Sequence, residues 1–189
     1  MRRGLLIVIS GPSGVGKDTL IRRLLELDPN LVYSVSGTTR APRPGEKPGE
    51  NYTFLTRDQF ERLIASGAFL EHATYNGNLY GTFHERVEGE RDKGRDVVLK
   101  IDVQGAEQVR RLIPDAIFIF VVAPSEHELE RRQQERGSES AQDMAARRRI
   151  GEDEVRYAAL YDNVVTNDDV DRAVDEILDL VRKARERQT

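Results

Sequence analysis

Apolar residues follow two rhythms along this chain. Short, mostly apolar runs at Leu5–Ile9 and Asp96–Ile101 predict buried strands, and Ala116–Val122, apolar on both faces, predicts a central strand of a covered parallel sheet. Other stretches repeat apolar residues every three or four positions. Lys17–Leu27, Gln104–Ile113 and Val170–Arg187 therefore predict amphipathic helices, the first stopped by Asp28-Pro29-Asn30 and the second by Pro114. Leu31–Ser36 alternates and predicts a second strand, and Asn163–Thr166 a last short one. Strands alternating with helices imply an α/β fold, a doubly wound parallel sheet of about five strands.

The rhythm changes between residues 36 and 88. Thr38–Asn51 holds three prolines and two glycines among its charges, and predicts an ordered or ligand-organised loop. Tyr52–Leu55 predicts a short strand. Arg57–Ser66 predicts a helix with Phe60, Leu63 and Ile64 on one face, ended by Gly67. Ala68–Tyr75 and Leu79–Gly81 flank Asn76-Gly77-Asn78, a hairpin signal. Together these form a small mixed unit inserted into the α/β pattern. From Ser125 to Tyr161 the chain is highly charged and helical, broken at Gly137-Ser138-Glu139-Ser140, which predicts a lid. The expected organisation is a single domain over 1–189. Its core comprises 1–35, 89–124 and 152–189, its inserted unit 36–88 and its lid 125–151.

Composition narrows the function classes. A chain of 189 residues can bury a sizeable core. A net charge of −4 and a pI near 5.5 argue against a general nucleic-acid or membrane binder. Without cysteine, disulfides and thiolate metal sites are excluded, and His72, His84 and His127 lack metal-ligand spacing. No apolar stretch approaches a membrane span, and Met1-Arg2-Arg3 leads straight into the first strand, so a cytoplasmic protein is expected. Beyond Lys17, Lys47, Lys93, Lys100 and Lys183, the basic residues are all arginine. Arginine suits forked contacts with phosphates, although GC-rich coding accounts for most of the bias.

The first strand runs into Ser10-Gly-Pro-Ser-Gly-Val-Gly-Lys-Asp-Thr-Leu20 and then a helix. The spacing Gly11-x4-Gly16-Lys17 fits a P-loop, whose glycines let backbone N–H groups converge on a phosphate while the lysine meets the β/γ-phosphates. The start of the helix adds its positive dipole end. One residue departs from the pattern, which wants Ser or Thr after the lysine for Mg²⁺: the chain has Asp18.

Two arginine-bearing regions and one strand end add chemistry. Ser36-Gly-Thr-Thr-Arg40-Ala-Pro-Arg43, followed by Tyr52, places two guanidiniums three residues apart beside prolines and hydroxyls. It reads either as a phosphate clamp or as a solvated basic loop. Arg132, Arg136 and Arg147 lie on the lid, where arginines can neutralise charge on a transferred phosphoryl group. The alternative, a helix face salt-bridged to Glu128, Glu130 and Glu135, better suits Arg131, Arg148 and Arg149. The apolar strand Val97–Asp102 ends in a carboxylate, which reads as a crevice residue, a helix cap, or both.

Taken together these strings resemble the guanylate kinase family. Thr38-Thr39-Arg40-x-x-Arg43-x-x-Glu46-x-x-Gly49-x-x-Tyr52-x-Phe54 matches its signature. Glu71, Gly77–Thr82, Ile101–Ala106 and Val165–Asp169 follow in the family's order, so the resemblance spans nearly the whole chain. It implies an enzyme that transfers the γ-phosphoryl group of ATP to GMP with Mg²⁺, without nucleic acid, membrane or obligate protein partner. By position, Gly11, Pro12, Ser13, Gly14, Val15, Gly16, Lys17 and Asp18 would hold the ATP phosphates, with Asn167 near the adenine. Within an inserted GMP-binding subdomain, Arg40, Arg43, Tyr52 and Tyr80 would bind the GMP phosphate. Ser36, Glu71, Thr82 and Asp102 would read the guanine. Guanine offers N1–H and N2–H₂ donors that carboxylates accept, and adenine has no N1–H. Lys17 and the lid arginines Arg132, Arg136 and Arg147 would be catalytic.

Two positions depart from the family's usual pattern. Position 18 is usually Ser, Thr or Gly and is Asp here; position 100 is usually acidic and is Lys. A carboxylate about 4 Å from a phosphate charge costs on the order of 1–4 kcal/mol unless neutralised. Either Lys100 pairs with Asp18 as a charge swap, or the changes are independent and Asp18 is solvated or acts through Mg²⁺-bound water. Gly-Lys-Asp also occurs in the related ribose 1,5-bisphosphate phosphokinases, which leaves that activity as one alternative. A non-catalytic guanylate-kinase-like interaction module is another.

Overall fold

The computed structural model describes residues 2–135 and 158–188. Five parallel strands form the main sheet in the order β2-β7-β1-β8-β9: β1 (Leu6–Ser10), β2 (Leu31–Tyr33), β7 (Asp96–Lys100), β8 (Ile117–Val122) and β9 (Asn163–Thr166). The doubly wound sheet expected from the apolar runs is present. Alternation within the strands decides which side chain meets which helix. Ile7 and Ile9 of β1, with Val98 and Ile119, pack under α1 (Lys17–Leu27) and α6 (Val170–Arg187) through Leu20, Leu24, Val174 and Ile177. Their neighbours Leu6, Val8, Val97, Leu99 and Phe118 turn to the other face. There they meet Val87 of α3 (His84–Asp92) and Ala106 and Val109 of α4 (Val103–Leu112). Each fully buried Leu, Ile or Phe contributes about 1.5–3 kcal/mol, so these two faces carry the stability of the core.

A second sheet, in the order β4-β3-β6-β5, holds the inserted unit. It contains β3 (Gly37–Thr38), β4 (Thr53–Phe54), β5 (Phe69–Tyr75) and β6 (Asn78–Phe83). Asn76 and Gly77 both have positive φ, 46° and 74°, as a tight two-residue hairpin turn requires. Helix α2 (Arg57–Ala65) starts with a Thr56/Gln59 capping box and buries Phe60, which stacks on Phe69 at 4.5 Å between ring centres.

Two expectations need correction. Leu31–Ser36 is not one strand. Pairing with β7 ends after the Ser34 N–H reaches the Val98 carbonyl, and the chain then crosses to the small sheet as β3. Helix α3 was absent from the sequence reading because His84–Asp92 offers one buried apolar residue, Val87, and no stripe. Its inward face is instead held by Arg91, whose Nε donates to the Gly4 carbonyl at 3.0 Å.

At the N-terminal end of β7, the fully buried Asp96 carboxylate gathers distant parts of the chain. It accepts from Arg2 at 2.9 Å through both oxygens, from Arg185 at 2.7 Å, from Asn30 at 3.0 Å and from the Leu5 N–H at 2.7 Å. The opposite, C-terminal ends of the strands carry the polar side chains described next.

Candidate active site

The loop after β1 is shaped by glycine where no other residue fits. Gly16 has φ 98°, and a Cβ there would lie 2.4 Å from the Asn167 side-chain nitrogen. As the N-cap of α1 it offers no side-chain oxygen to the first N–H groups of the helix, which suits them to an anion. The Lys17 ammonium folds over this loop, donating to the carbonyls of Gly11 and Pro12. Gly11, Ser13, Gly14, Gly16, Lys17 and Asp18 face the cleft, whereas Val15 is fully buried beneath them.

Side chains from two other elements brace the loop from behind. The buried Asn167, just past β9, donates through Nδ2 to the Val15 carbonyl at 2.8 Å. In α5 (Glu126–Glu135), Arg132 donates to the Asn167 carbonyl at 3.1 Å and to Glu128 at 2.7 Å, and Gln133 donates to the Ser13 carbonyl at 2.8 Å. Arg131 and Arg132 hold the Glu128 carboxyl down at about 2. Asn167, which the resemblance sets near the adenine, and Arg132, which it makes a catalytic lid arginine, here hydrogen-bond to the P-loop backbone and to each other. Gln133 was not anticipated, since a lone glutamine on a charged helix carries no signal. Arg136 and Arg147 lie outside the described residues.

Across the cleft, the proline-rich loop presents the second cationic group. Glu46 receives Arg40 at 2.8 and 3.0 Å and the Arg43 backbone N–H at 2.8 Å, so one carboxylate fixes both ends of the Arg40–Arg43 turn. Burial opposes its charge, yet Arg40 and the Arg43 N–H hold Glu46 below the usual carboxylate range. The Arg40 guanidinium lies over Tyr52, 5.5 Å from the ring centre, and Tyr80 meets the same ring edge-on at 5.9 Å. Glu46 was quoted in the motif without a role; its role is to position Arg40.

The far end of the cleft is acidic. Glu71 of β5 is buried and accepts the Thr82 hydroxyl at 2.6 Å. Burial, reinforced by Asp102, pushes its carboxyl up to about 7. Thr82 is itself fully buried and reaches the cleft through Glu71. Asp102 caps α4, its Oδ1 accepting the Gly105 N–H at 2.9 Å, and it also lines the cleft, so both readings of this residue hold. Burial raises its pKa as well. Ser36 lies beside this end. Gly105 was not singled out, yet a Cβ there would stand 2.3 Å from Glu71 Oε2.

Between the two ends, Lys100, the last residue of β7, donates to Asp18 Oδ1 at 2.5 Å. The charge-swap geometry is therefore present. One cleft of about 450 Å³ runs from the P-loop past Lys100 and Tyr52 to Glu71 and Asp102. Among the described residues, no three carboxylates or histidines cluster tightly enough to hold a metal by themselves. The donor set suits Mg²⁺ bound mainly through substrate phosphates and its own waters, with Asp18 as the carboxylate of the P-loop.

The sequence matches the family model described as guanylate kinase over residues 3–184. It is 52% identical to the guanylate kinase of Rubrobacter xylanophilus, covering 97% of this chain and 96% of that one. Identity to the Thiobacillus denitrificans guanylate kinase is 44%, over 96% and 87% of the two chains. The fold is similar to the crystal structure of guanylate kinase from Anaplasma phagocytophilum, with a TM-score of 0.81 and 36% identity over 97% of this chain and 87% of that one.

Proposed function

The chain belongs to the guanylate kinase family, and on that premise we propose how its cleft carries phosphoryl transfer from ATP to GMP. The enzyme is an ATP:GMP phosphotransferase, a nucleoside monophosphate kinase. A phosphate oxygen of GMP attacks the γ-phosphorus of ATP, and the bond from that phosphorus to the β-bridging oxygen breaks. The electron pair leaves with ADP, and charge balances without a proton. The protein's task is to hold two anions in line and offset their repulsion.

The observation that carries this reading is the single cleft with a P-loop at one end and paired carboxylates at the other. The residues from Gly11 to Asp18 receive the triphosphate, Lys17 exchanging its loop carbonyls for β/γ-oxygens. Arg40, Arg43, Tyr52 and Tyr80 take the acceptor phosphate. Glu71 and Asp102 accept from the guanine N1–H and N2–H₂, with Thr82 orienting Glu71 and Ser36 nearby. Arg132 and Asn167 act through the P-loop backbone. When bound with the nucleotide, Mg²⁺ supplies charge neutralisation to the phosphate oxygens, with Asp18 available to its waters. Residues 36–88 serve as the GMP-binding subdomain. No helix among the described residues is long and apolar enough to cross a membrane.

Ribose 1,5-bisphosphate would leave the buried Glu71 and the half-buried Asp102 facing a sugar, so that alternative is not favoured. Coupled ADP release should be fast with GMP and slow with AMP, UMP and ribose 1,5-bisphosphate. Equal rates with AMP would overturn the assignment of Glu71 and Asp102.

A further inference from the structure

Lys100 is placed as more than a counterion. Its strand position pairs with Ile9 of β1, so its side chain emerges where the P-loop begins. Its ammonium lies 5.6 Å from the centre of the Tyr52 ring, the same ring that Arg40 approaches at 5.5 Å. Two cations from different sheets thus flank one tyrosine, and both line the cleft.

The enclosure of the pair is lopsided. The Lys100 side chain is 18% exposed and the Asp18 side chain 63%, so the cation is the fixed partner and the carboxylate the solvated one. Tyr33 of β2 lies near the ammonium and lines the same cleft. Burial opposes the charge on Lys100, but Tyr33, Tyr52 and Asp18 outweigh it and raise its pKa, so it is cationic throughout the physiological range. An ammonium carries three rotatable donors, so it can turn toward another oxygen from the same place at the end of β7.

We propose that Lys100 is a further substrate-binding residue, donating to the acceptor phosphate alongside Arg40 and Arg43, with Asp18 holding its place until that phosphate arrives. This rests on the assignment of the acceptor subsite to Tyr52 and its neighbours. A phosphate bound against Tyr52 would meet both cations beside that ring. Its charge near −2 competes well for an ammonium held by a single exposed carboxylate. The cation is covalently part of the chain, so it acts on the acceptor whether or not a divalent metal is present.

The test is GMP binding by titration calorimetry in excess EDTA, with wild type, Lys100→Met, Asp18→Asn and the double variant. Lys100→Met should weaken GMP at least tenfold, both in the wild-type background and in the Asp18→Asn background. Lys100→Arg should restore most of the affinity. Guanosine, measured by competition, should bind wild type and Lys100→Met alike. If the double variant binds GMP as tightly as Asp18→Asn alone, Lys100 serves only to neutralise Asp18 and the proposal is overturned. Equal weakening of GMP and guanosine by Lys100→Met would overturn it too, by pointing to a distorted pocket. Failure of the wild type itself to bind GMP would sink the acceptor-site reading beneath it.

Discussion

The Thr82 hydroxyl donates a 2.6 Å hydrogen bond to Glu71, and both residues are buried. That bond favours the carboxylate form of Glu71, but burial works more strongly the other way, so its pKa rises to about 7 from 4.5. Guanine donors need the ionised form. GMP affinity should therefore rise with pH up to about pH 7.5, and binding at pH 7 should release part of a proton. Calorimetry in two buffers of different ionisation enthalpy reads that proton directly; equal heats in both would refute it.

The same shift has an opposite consequence for stability. A carboxyl whose folded pKa lies above its unfolded one favours the fold when protonated. Its contribution is full below the unfolded pKa near 4.5 and is lost as pH rises through about 7. Glu71→Gln should thus raise the melting temperature at pH 8 while raising KM for GMP about 10–100-fold, the cost of a lost charged hydrogen bond. A variant that melts lower than wild type at pH 8 would contradict this.

Gly105 gives Glu71 its room. A Cβ at 105 would stand 2.3 Å from Glu71 Oε2 and 2.9 Å from its carboxyl carbon, so Gly105→Ala must displace the carboxylate. The expected signature is specific: KM for GMP up about tenfold, KM for ATP unchanged, and weaker discrimination against AMP. Equal rises in both KM values would point to general damage instead.

Lys17→Ala should lower kcat about 10²–10³-fold, as removal of a preorganised transition-state donor does. Its ammonium contacts are with loop carbonyls, so the melting temperature should change little. Turnover close to wild type would be incompatible with the P-loop assignment.

Asp96 lies at the opposite end of β7 from Lys100 and ties Arg2, Arg185, Asn30 and Leu5 together. Asp96→Ala should cost about 3–5 kcal/mol in denaturant unfolding, because it removes the carboxylate shared by two part-buried guanidiniums and the acceptor of the buried Leu5 N–H. It should leave KM for both nucleotides unchanged. Although burial opposes its charge, Arg2, the Leu5 N–H and Arg185 lower its pKa. Its contribution to stability is therefore present above the unfolded pKa and disappears as pH falls through the lower folded value. A variant equally stable at pH 7 would exclude this role.

The residues that shape the core were legible because their chemistry is periodic. The apolar runs at β1, β7 and β8 could only be buried strands, and Gly11-x4-Gly16-Lys17 fixed where the anion site begins. What escaped was set by partners distant in sequence. Val87 alone could not announce α3, and the crossing of the chain between sheets after Ser34 depends on where β7 ends. Asn167 and Arg132 were recognisable as site residues from their place in the motif, but their direction was not. Whether an amide meets adenine or the Val15 carbonyl depends on the packing of β9 against the P-loop. Glu46 and Gly105 act through Arg40 and Glu71, and a residue that works on another side chain leaves no spacing of its own. The Asp18–Lys100 contact was foreseeable only because two exceptions of opposite sign fell in the first turn of α1 and at the end of β7, the strand beside β1.

Two of the three cations assigned to the acceptor region carry a carboxylate: Arg40 has Glu46, and Lys100 has Asp18. Binding there is an exchange of one anion for another. The site is tuned by valence: a monoanion gains nothing over the resident carboxylates, whereas a dianion does. Chloride and acetate should be poor competitors even at high concentration, and the affinity for GMP should vary less with ionic strength than the number of cations suggests. Selectivity for a fully ionised phosphate, whose second pKa is about 6, follows without any contact dedicated to it.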